Sequence, residues 1–320
     1  MDWVRVSATQ IGMFLRCARQ WAFRYVENRK VRPSGAMKQS GVFHTVAEVN
    51  YRQKMHTRED MTSEEMTDYF SDLFETEWER EELMPLQAGE SKGGFKDQGI
   101  DIVREHRLNI APLVQPLAVE QKFELTLGKD DYSFGLSGRI DVIDSSRAIR
   151  DNKAIGRTPS QDEIDRDIQL STYSLANRVL LRHQNPEMDI AELQKLIEPE
   201  LTLDAIIKTK RPEARVFRTR RSREGLRMHL NTIGNIAKAI RADAFPRNPT
   251  GWWCSEKWCG YWKDCMGKGL VSVDMGEFLE PKLQESLSGK EEGQQGQKIG
   301  KPKEERGQEK ALLNGRKEPT

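Results

Sequence analysis

The feature of this sequence that most constrains its fold is a change of pattern near residue 117. Before that point the apolar residues recur at the spacing of amphipathic helices, and after it they fall in short segments with the length and composition of strands. Only short polar turns separate the first three of these segments, which favours antiparallel pairing between neighbours. The predicted strands are residues 117–127, 132–144, 147–155, 201–208 and 214–219, and helices are predicted at 161–181 and 222–241.

The chain before residue 117 is predicted to form a helical section. Ser7 and Gln10 have the spacing of a capping box, so one helix is expected to begin there and to carry the apolar residues as far as Tyr25. Residues 59–82 combine an apolar stripe with eleven acidic residues and one Arg, which is typical of a solvated surface helix. The other predicted elements of this section are a helix over 39–54, a loop over 84–96 and a helix ahead of Pro112.

Length and composition set the domain organisation. A chain of 320 residues can hold one large domain or two small ones, and its formal net charge of +1 does not by itself point to a nucleic-acid partner. No apolar run approaches the roughly 20 residues that span a bilayer, and the first residues lack a signal-peptide pattern. We expect a soluble, cytoplasmic protein with no membrane partner, consisting of one domain over residues 1–275 and a disordered polar tail over 276–320.

Two carboxylates and a lysine in the central strands carry the first chemical signal. Asp141 lies on one predicted strand and Asp151 near the end of the next, and antiparallel neighbours can place such side chains side by side. Lys153 follows two positions later and so projects from the same face as Asp151. Carboxylates hold Mg²⁺ or Mn²⁺, which lower the pKa of a bound water and clamp phosphate oxygens, while the lysine can orient or deprotonate the water or stabilise the transition state.

An Asp-x-Lys pattern also arises by chance, so its surroundings matter. Asp141 stands between Ile140 and Val142, where a carboxylate is costly unless it is paired or binds a metal. Three further sequence elements accompany the Asp-x-Lys pattern in the chain. They are Gly41-Val42-Phe43-His44, Gly138-Arg139-Ile140-Asp141 and Gln169-Leu170-Ser171-Thr172-Tyr173, and with Asp151-Asn152-Lys153 they make four elements in a fixed order.

This order of elements resembles the RecB-like branch of the PD-(D/E)XK nuclease superfamily. The resemblance implies an α/β fold in which a mixed sheet flanked by helices carries the site, with a helical section before it and a C-terminal cysteine segment after it. It implies that Asp141, Asp151, Lys153 and His44 are catalytic, and that His44, Asp141 and Asp151 bind the Mg²⁺ or Mn²⁺ ion. The last acidic position is Asp here, where Glu is frequent in the superfamily.

Some residues of these elements have a simpler interpretation as well. His44 could be a hydrogen-bonded helix residue paired with Glu48, one turn later. The resemblance implies that Gln169 and Tyr173, which share a helix face, support the site and contact DNA, whereas the alternative is ordinary packing. Glu120, on the strand before Asp141, is a further candidate that could reach the metal through water.

The four cysteines form a second candidate metal site. Cys17 lies in the first predicted helix, and the other three are Cys254, Cys259 and Cys265. Four thiolates suit either a [4Fe–4S] cluster or tetrahedral Zn²⁺, and independent buried thiols are the alternative. The AddB-type and CRISPR-associated exonucleases of this branch carry one early and three late cysteines around a [4Fe–4S] cluster, so the resemblance implies a cluster. The first late gap is longer here than is usual, which leaves Zn²⁺ open.

Two surfaces are candidates for contact with DNA. Residues 204–247 hold twelve Lys or Arg against four acidic residues, which is the charge pattern that phosphate binding needs, although a solvated basic face is the alternative. Trp252, Trp253, Trp258 and Trp262 lie among the late cysteines, where they would shield a cluster or stack on bases.

The resemblance implies a metal-dependent DNA exonuclease acting on single strands or DNA ends in recombination or repair. Alternatives within the same branch are a CRISPR spacer-processing nuclease and the nuclease subunit of a helicase–nuclease complex, with a helicase or recombination protein as partner. An alternative of another class is a non-catalytic DNA-binding protein. The sequence contains no P-loop motif for an ATP-driven motor.

Overall fold

The computed structural model describes residues 3–128, 133–189 and 198–266. The predicted tail over 276–320, the predicted turn residues 129–131 and the first residue of the strand predicted over 132–144 lie outside this described part. Within it, no helix is long and apolar enough to cross a membrane. The helices are α1 (Ala8–Arg16), α2 (Ala18–Tyr25), α3 (Gly35–Thr57), α4 (Ser63–Glu79), α5 (Lys92–Asn109), α6 (Gln161–Asp165), α7 (Ile168–Gln184), α8 (Arg223–Arg241) and α9 (Trp262–Cys265). The strands are β1 (Arg5–Val6), β2 (Pro116–Leu127), β3 (Phe134–Asp144), β4 (Ile149–Ile155), β5 (Leu201–Ile207) and β6 (Glu213–Thr219).

The strands form one mixed sheet, as predicted. Its order is β1-β3-β4-β5-β6, and β2 also pairs with β3. Strands joined by short turns pair antiparallel, as β2 does with β3 and β3 with β4. Strands β4 and β5 are parallel, and such a connection needs a crossover, which here contains α6 and α7. The site residues of β3 and β4 therefore lie inside the sheet, away from its edges.

Helices cover both faces of the sheet. Ala205 and Ile207 of β5 pack in a core cluster with α7 and α8, whereas the intervening Ile206 packs with α3, α4 and α5. Because neighbouring strand residues point to opposite faces, every residue of β5 is buried. The acidic helix α4 contributes only its apolar stripe, which includes Phe70 and Phe74. The predicted fold class is thus confirmed.

Two predicted helices are interrupted, and one predicted loop was wrong. The first helix ends at Arg16 and begins again at Ala18, because Cys17 adopts an extended conformation with φ −164° and ψ 107°. The helix predicted over 161–181 is divided in the same way between α6 and α7, and Asp167 caps the second part. Residues 92–96, predicted as loop, form the first turn of α5, since the Ser91 side chain accepts a hydrogen bond from the Gly94 amide.

Candidate active site

Asp141 and Asp151 lie opposite each other on β3 and β4. The register pairs Val142 with Arg150, so the next pair toward the open end of the hairpin is Asp141 with Asp151. The Asn152 amide donates a hydrogen bond to Asp141 Oδ2 at 3.2 Å, which ties the Asp141 carboxylate to β4. The side-by-side arrangement predicted from two strands and a tight turn is therefore present in the structure.

Lys153 completes the group formed by Asp141, Asp151 and Lys153, here called the carboxylate–lysine site. Its Nζ lies 2.7 Å from Asp151 Oδ2 and 3.9 Å from Asp167 Oδ2. Burial lowers the pKa of Lys153, but the negative charges of Asp151 and Asp167 more than offset it, so the net shift is upward. The side chain is thus a protonated ammonium in this arrangement, suited to orienting a water or a phosphate oxygen.

The two carboxylates repel each other in a buried environment. Burial is the main reason that the pKa of Asp141 is raised well above its ordinary value, and the charge of Asp151 raises it further. Asp151 is fully buried, and the partner of its Oδ2 in the described contacts is the Lys153 ammonium, 2.7 Å away. One lysine beside two carboxylates does not balance their negative charge, which favours the binding of a further cation.

His44 reaches the same group from α3. Its Nδ1 lies 3.8 Å from Asp141 Oδ2. Burial lowers the pKa of His44, and the charge of Asp151 opposes that shift only in part, so the imidazole is neutral and keeps a lone pair for a ligand. Glu48, the alternative partner considered from the sequence, accepts a hydrogen bond from Arg52 at 2.8 Å.

Gln169 and Tyr173 of α7 form hydrogen bonds with the two carboxylates. Gln169 Nε2 donates to Asp151 Oδ1 and to Tyr173 Oη, both at 2.7 Å, and Tyr173 Oη donates to Asp141 Oδ1 at 3.4 Å. Tyr173 is 5% exposed, and its ring packs edge-to-face on Phe123. The contacts of both residues in this structure are with the carboxylates, in agreement with a supporting role.

The glycine that precedes Asp141 by three positions has a steric reason. Gly138 lies opposite Phe123 in the β2–β3 register, and a Cβ atom at residue 138 would stand 2.6 Å from the Phe123 ring. Any larger residue would displace Phe123 and, with it, the ring of Tyr173. The spacing in Gly-x-x-Asp therefore reflects packing beside the site.

Glu120 lies next to the carboxylate–lysine site on β2. Its neighbours pair as Val119 with Val142 and Gln121 with Ile140, so Glu120 falls opposite Asp141. It has a left-handed backbone, with φ 53°, which is uncommon for a residue that is not glycine. Burial raises its pKa, and its charge in turn raises that of Asp141.

These residues fit a divalent cation, although among the described residues no group of three or more His, Cys, Asp or Glu side chains is already arranged around a metal position. The carboxylates of Asp151 and Asp141 and the neutral His44 offer oxygen and imidazole ligands, and Mg²⁺ and Mn²⁺ prefer mainly oxygen. The excess of negative charge over the single lysine favours cation binding.

A buried polar network behind the site was not predicted from the sequence. Arg150 donates two hydrogen bonds to Asp204, at 2.7 and 2.9 Å, and one to Asp144 at 3.2 Å. His106 Nε2 contacts Asn152 Oδ1 at 3.1 Å. These partners are 46 to 54 positions apart in most cases, so no local motif indicates them.

The structure brings the cysteine segment to the first helices. Tyr261 stacks on Phe23 with ring centroids 5.2 Å apart, and its hydroxyl donates to the Arg29 carbonyl at 2.8 Å. Burial raises the pKa of Cys254, and the nearby charges of Cys17 and Cys265 raise it further.

Burial likewise raises the pKa of Cys259, and the charges of the other three cysteines raise it further. None of the four cysteines forms a disulfide. Cys17 takes part because the break between α1 and α2 falls at this residue. Half-buried thiols held together in this manner have the donor chemistry of a thiolate-bound metal centre, although the described cysteines do not yet surround a metal position.

The predicted basic face is in part internal. Arg221 is buried and donates to Ser171 Oγ and to the carbonyls of Ile164 and Asp167, so it stabilises the junction of α6 and α7. Arg218 forms an ion pair with Glu200 at 3.3 Å. Arg223, Lys210 and Arg211 are exposed members of the segment.

Comparison with known proteins adds a family assignment. The family model of the PD-(D/E)XK nuclease superfamily matches residues 5–266. No curated protein matches the chain. Among the solved structures that are similar, two examples each have 11% sequence identity. They are a "Putative exonuclease" from Eubacterium rectale (TM-score 0.48, covering 79% of this chain and 87% of that one) and SSO0001 (TM-score 0.34, covering 82% and 86%). The chain belongs to the PD-(D/E)XK nuclease superfamily.

Proposed function

We propose that this nuclease is a metal-dependent DNA exonuclease that acts on single strands or DNA ends in recombination or repair. The observation that carries the proposal is the opposition of Asp141 and Asp151 across the β3–β4 register, with Lys153 Nζ 2.7 Å from Asp151. Phosphodiester hydrolysis needs an activated water and neutralisation of the phosphate charge. The carboxylate–lysine site offers both in one place.

Each residue of the site has a role in this proposal. Asp141, Asp151 and His44 hold Mg²⁺ or Mn²⁺, which when bound supplies a water of lowered pKa and positive charge next to the phosphate. The ammonium of Lys153 orients the attacking water or a phosphate oxygen. Gln169 keeps the Asp151 carboxylate fixed through its hydrogen bond to Oδ1.

Exposed indole rings support a preference for single strands. Trp252 and Trp258 are 69% and 56% exposed and meet edge-to-face, with Lys257 Nζ 5.0 Å from the ring centroid of Trp258. Exposed aromatic rings next to a cation bind unpaired bases by stacking, which a paired duplex does not offer along its length. These two rings therefore suit base contact better than shielding of the cysteines.

The four cysteines are proposed to hold a [4Fe–4S] cluster that joins the N-terminal helices to the C-terminal segment. The support is their number, their electrostatic proximity and the absence of disulfides among them. In this proposal the cluster has a structural role, because it would link the same two segments that the contact of Tyr261 with Phe23 already brings together.

The nuclease proposal is tested with end-labelled single- and double-stranded DNA and Mg²⁺ or Mn²⁺, using protein purified anaerobically. Lys153→Ala and Asp151→Asn are expected to lose at least about 100-fold in rate, because each removes charge from the reacting centre. Lys92→Ala is the matched control, since Lys92 pairs only with Glu75 and Glu79 in the described contacts. Equal degradation by wild type and Lys153→Ala would refute the assignment, and DNA binding without cleavage would indicate the non-catalytic alternative.

The cluster proposal is tested by visible absorbance and metal analysis of the same preparation. A brown protein with about four iron atoms per chain is the expected result, and Cys17→Ser should lose the iron together with thermal stability. A colourless protein with stoichiometric zinc would overturn the iron–sulfur assignment and favour a tetrahedral Zn²⁺ site.

A further inference from the structure

His106 of α5 is a buried histidine directly behind the carboxylate–lysine site. Its Nε2 lies 3.1 Å from Asn152 Oδ1 and 3.2 Å from Tyr51 Oη, and the three side chains are all at most 3% exposed. Because the Asn152 carbonyl oxygen can only accept, Nε2 must carry the hydrogen and donate to it. The imidazole thus holds the side chain of Asn152, the residue between Asp151 and Lys153, through a hydrogen bond.

Asn152 connects the two faces of β4. Successive strand residues point to opposite faces, so the Asn152 side chain faces His106 while those of Asp151 and Lys153 face the site. The backbone amide of Asn152 donates to Asp141 Oδ2 at 3.2 Å. Two hydrogen bonds therefore link His106 to one carboxylate of the site, one at the side chain of Asn152 and the other at its backbone amide.

The network has a cost that simple packing would avoid. His106 Nδ1 is buried and has no hydrogen-bond partner among the described residues, so the free-energy cost of removing this atom from water is not offset. An apolar side chain among the neighbouring Phe43 and Ile102 would not carry that cost. Burial also lowers the pKa of His106 to about 4, so it adds no charge to the site at neutral pH.

We propose that His106 is a positioning residue that fixes Asn152, and through it the metal-binding geometry of Asp141 and Asp151. This inference rests on the proposed function, because it assigns His106 a part in metal binding by that same site. Partners one step removed from a metal ligand commonly change metal affinity by about 10- to 100-fold when they are removed.

The test is calorimetric Mn²⁺ binding to the full-length protein, with the Mn²⁺ dependence of DNA cleavage as a second readout. His106→Ala is expected to weaken Mn²⁺ binding by about 10- to 100-fold. His106→Gln should recover most of the affinity, because a Gln amide can donate to Asn152 Oδ1. Asn152→Leu should weaken Mn²⁺ binding as much as His106→Ala does. In a protein that carries Asn152→Leu, His106→Gln should bind Mn²⁺ no more tightly than His106→Ala.

Ile102→Ala is the matched control for a general loss of packing. Ile102 lies one turn before His106 on α5 and is fully buried in the apolar cluster, so its truncation removes core packing and lowers stability. It is expected to leave Mn²⁺ affinity unchanged. The inference is overturned if Ile102→Ala and His106→Ala weaken Mn²⁺ binding equally, or if Asn152→Leu binds normally. A wild-type protein that neither binds Mn²⁺ nor cleaves DNA would instead reject the proposed function itself. If His106→Ala does not fold, the His106→Gln and Asn152→Leu pair still decides the question.

Discussion

Removing the charge of Arg150 should destabilise the protein strongly, because this residue is the cation of a buried network behind the site. Arg150 is 5% exposed and Asp204 is fully buried, and they share two hydrogen bonds of 2.7 and 2.9 Å. Breaking a buried pair from one side leaves an uncompensated charge and costs about 3–5 kcal/mol. Arg150→Met is therefore expected to lower the free energy of unfolding by that amount.

The opposite partner should cost less. Asp204→Asn keeps the shape of the side chain, and Arg150 retains Asp144 at 3.2 Å as a counter-charge. The loss is then that of charge-assisted hydrogen bonds, about 1.5–3 kcal/mol. In the double variant neither charge is left alone, and Asp144 keeps its hydrogen bonds from Ser146 and from the Ala148 amide. The loss in the free energy of unfolding of the double variant should thus be smaller than the sum of the two single losses by about 1–3 kcal/mol.

Urea denaturation followed by tryptophan fluorescence measures these four free energies by linear extrapolation. The denaturant slopes should stay equal, which shows that the extent of unfolding is unchanged. Losses that add within about 0.5 kcal/mol would refute a direct coupling of Arg150 with Asp204. A loss below about 1 kcal/mol for Arg150→Met would refute the buried charge as a whole.

Three other predictions follow from particular contacts. Gly138→Ala should lower the free energy of unfolding by about 1–3 kcal/mol, measured in the same urea assay, because the added Cβ would stand 2.6 Å from the ring opposite; an unchanged value would contradict that packing. His229 has a pKa lowered to about 4, mainly by burial and then by the charge of Arg221, so its contribution to stability is present above pH 6.5 and is lost as pH falls toward 4. His229→Gln should flatten the stability profile over that window relative to wild type, by up to about 3 kcal/mol, and parallel profiles would reject the assignment. Trp252→Ala should weaken binding to a single-stranded oligonucleotide by about 1–3 kcal/mol in fluorescence titrations, with duplex binding as the control that stays constant.

The central hairpin, and the positions of the candidate site residues on it, could be predicted from the sequence. Short turns and strand-like segments of defined length set β3 against β4, and this register alone places Asp141 opposite Asp151. The spacing of Lys153 and of Gln169 with Tyr173 then follows from the periods of a strand and a helix. The acidic surface helix was also predictable, because its apolar stripe repeats at helical spacing.

The features that join distant parts of the chain could not be predicted from the sequence. Three features depend on partners from other elements, about which local propensity carries no information. They are the break at Cys17, the hydrogen bond of His106 with Asn152 and the burial of Arg221. A helix pattern continues through Cys17 in the sequence, yet the chain bends there and the docked C-terminal segment approaches it. Arg221 likewise belongs to a basic segment by sequence, whereas packing against α6 and α7 makes it a structural residue, because buried carbonyl groups there need a donor.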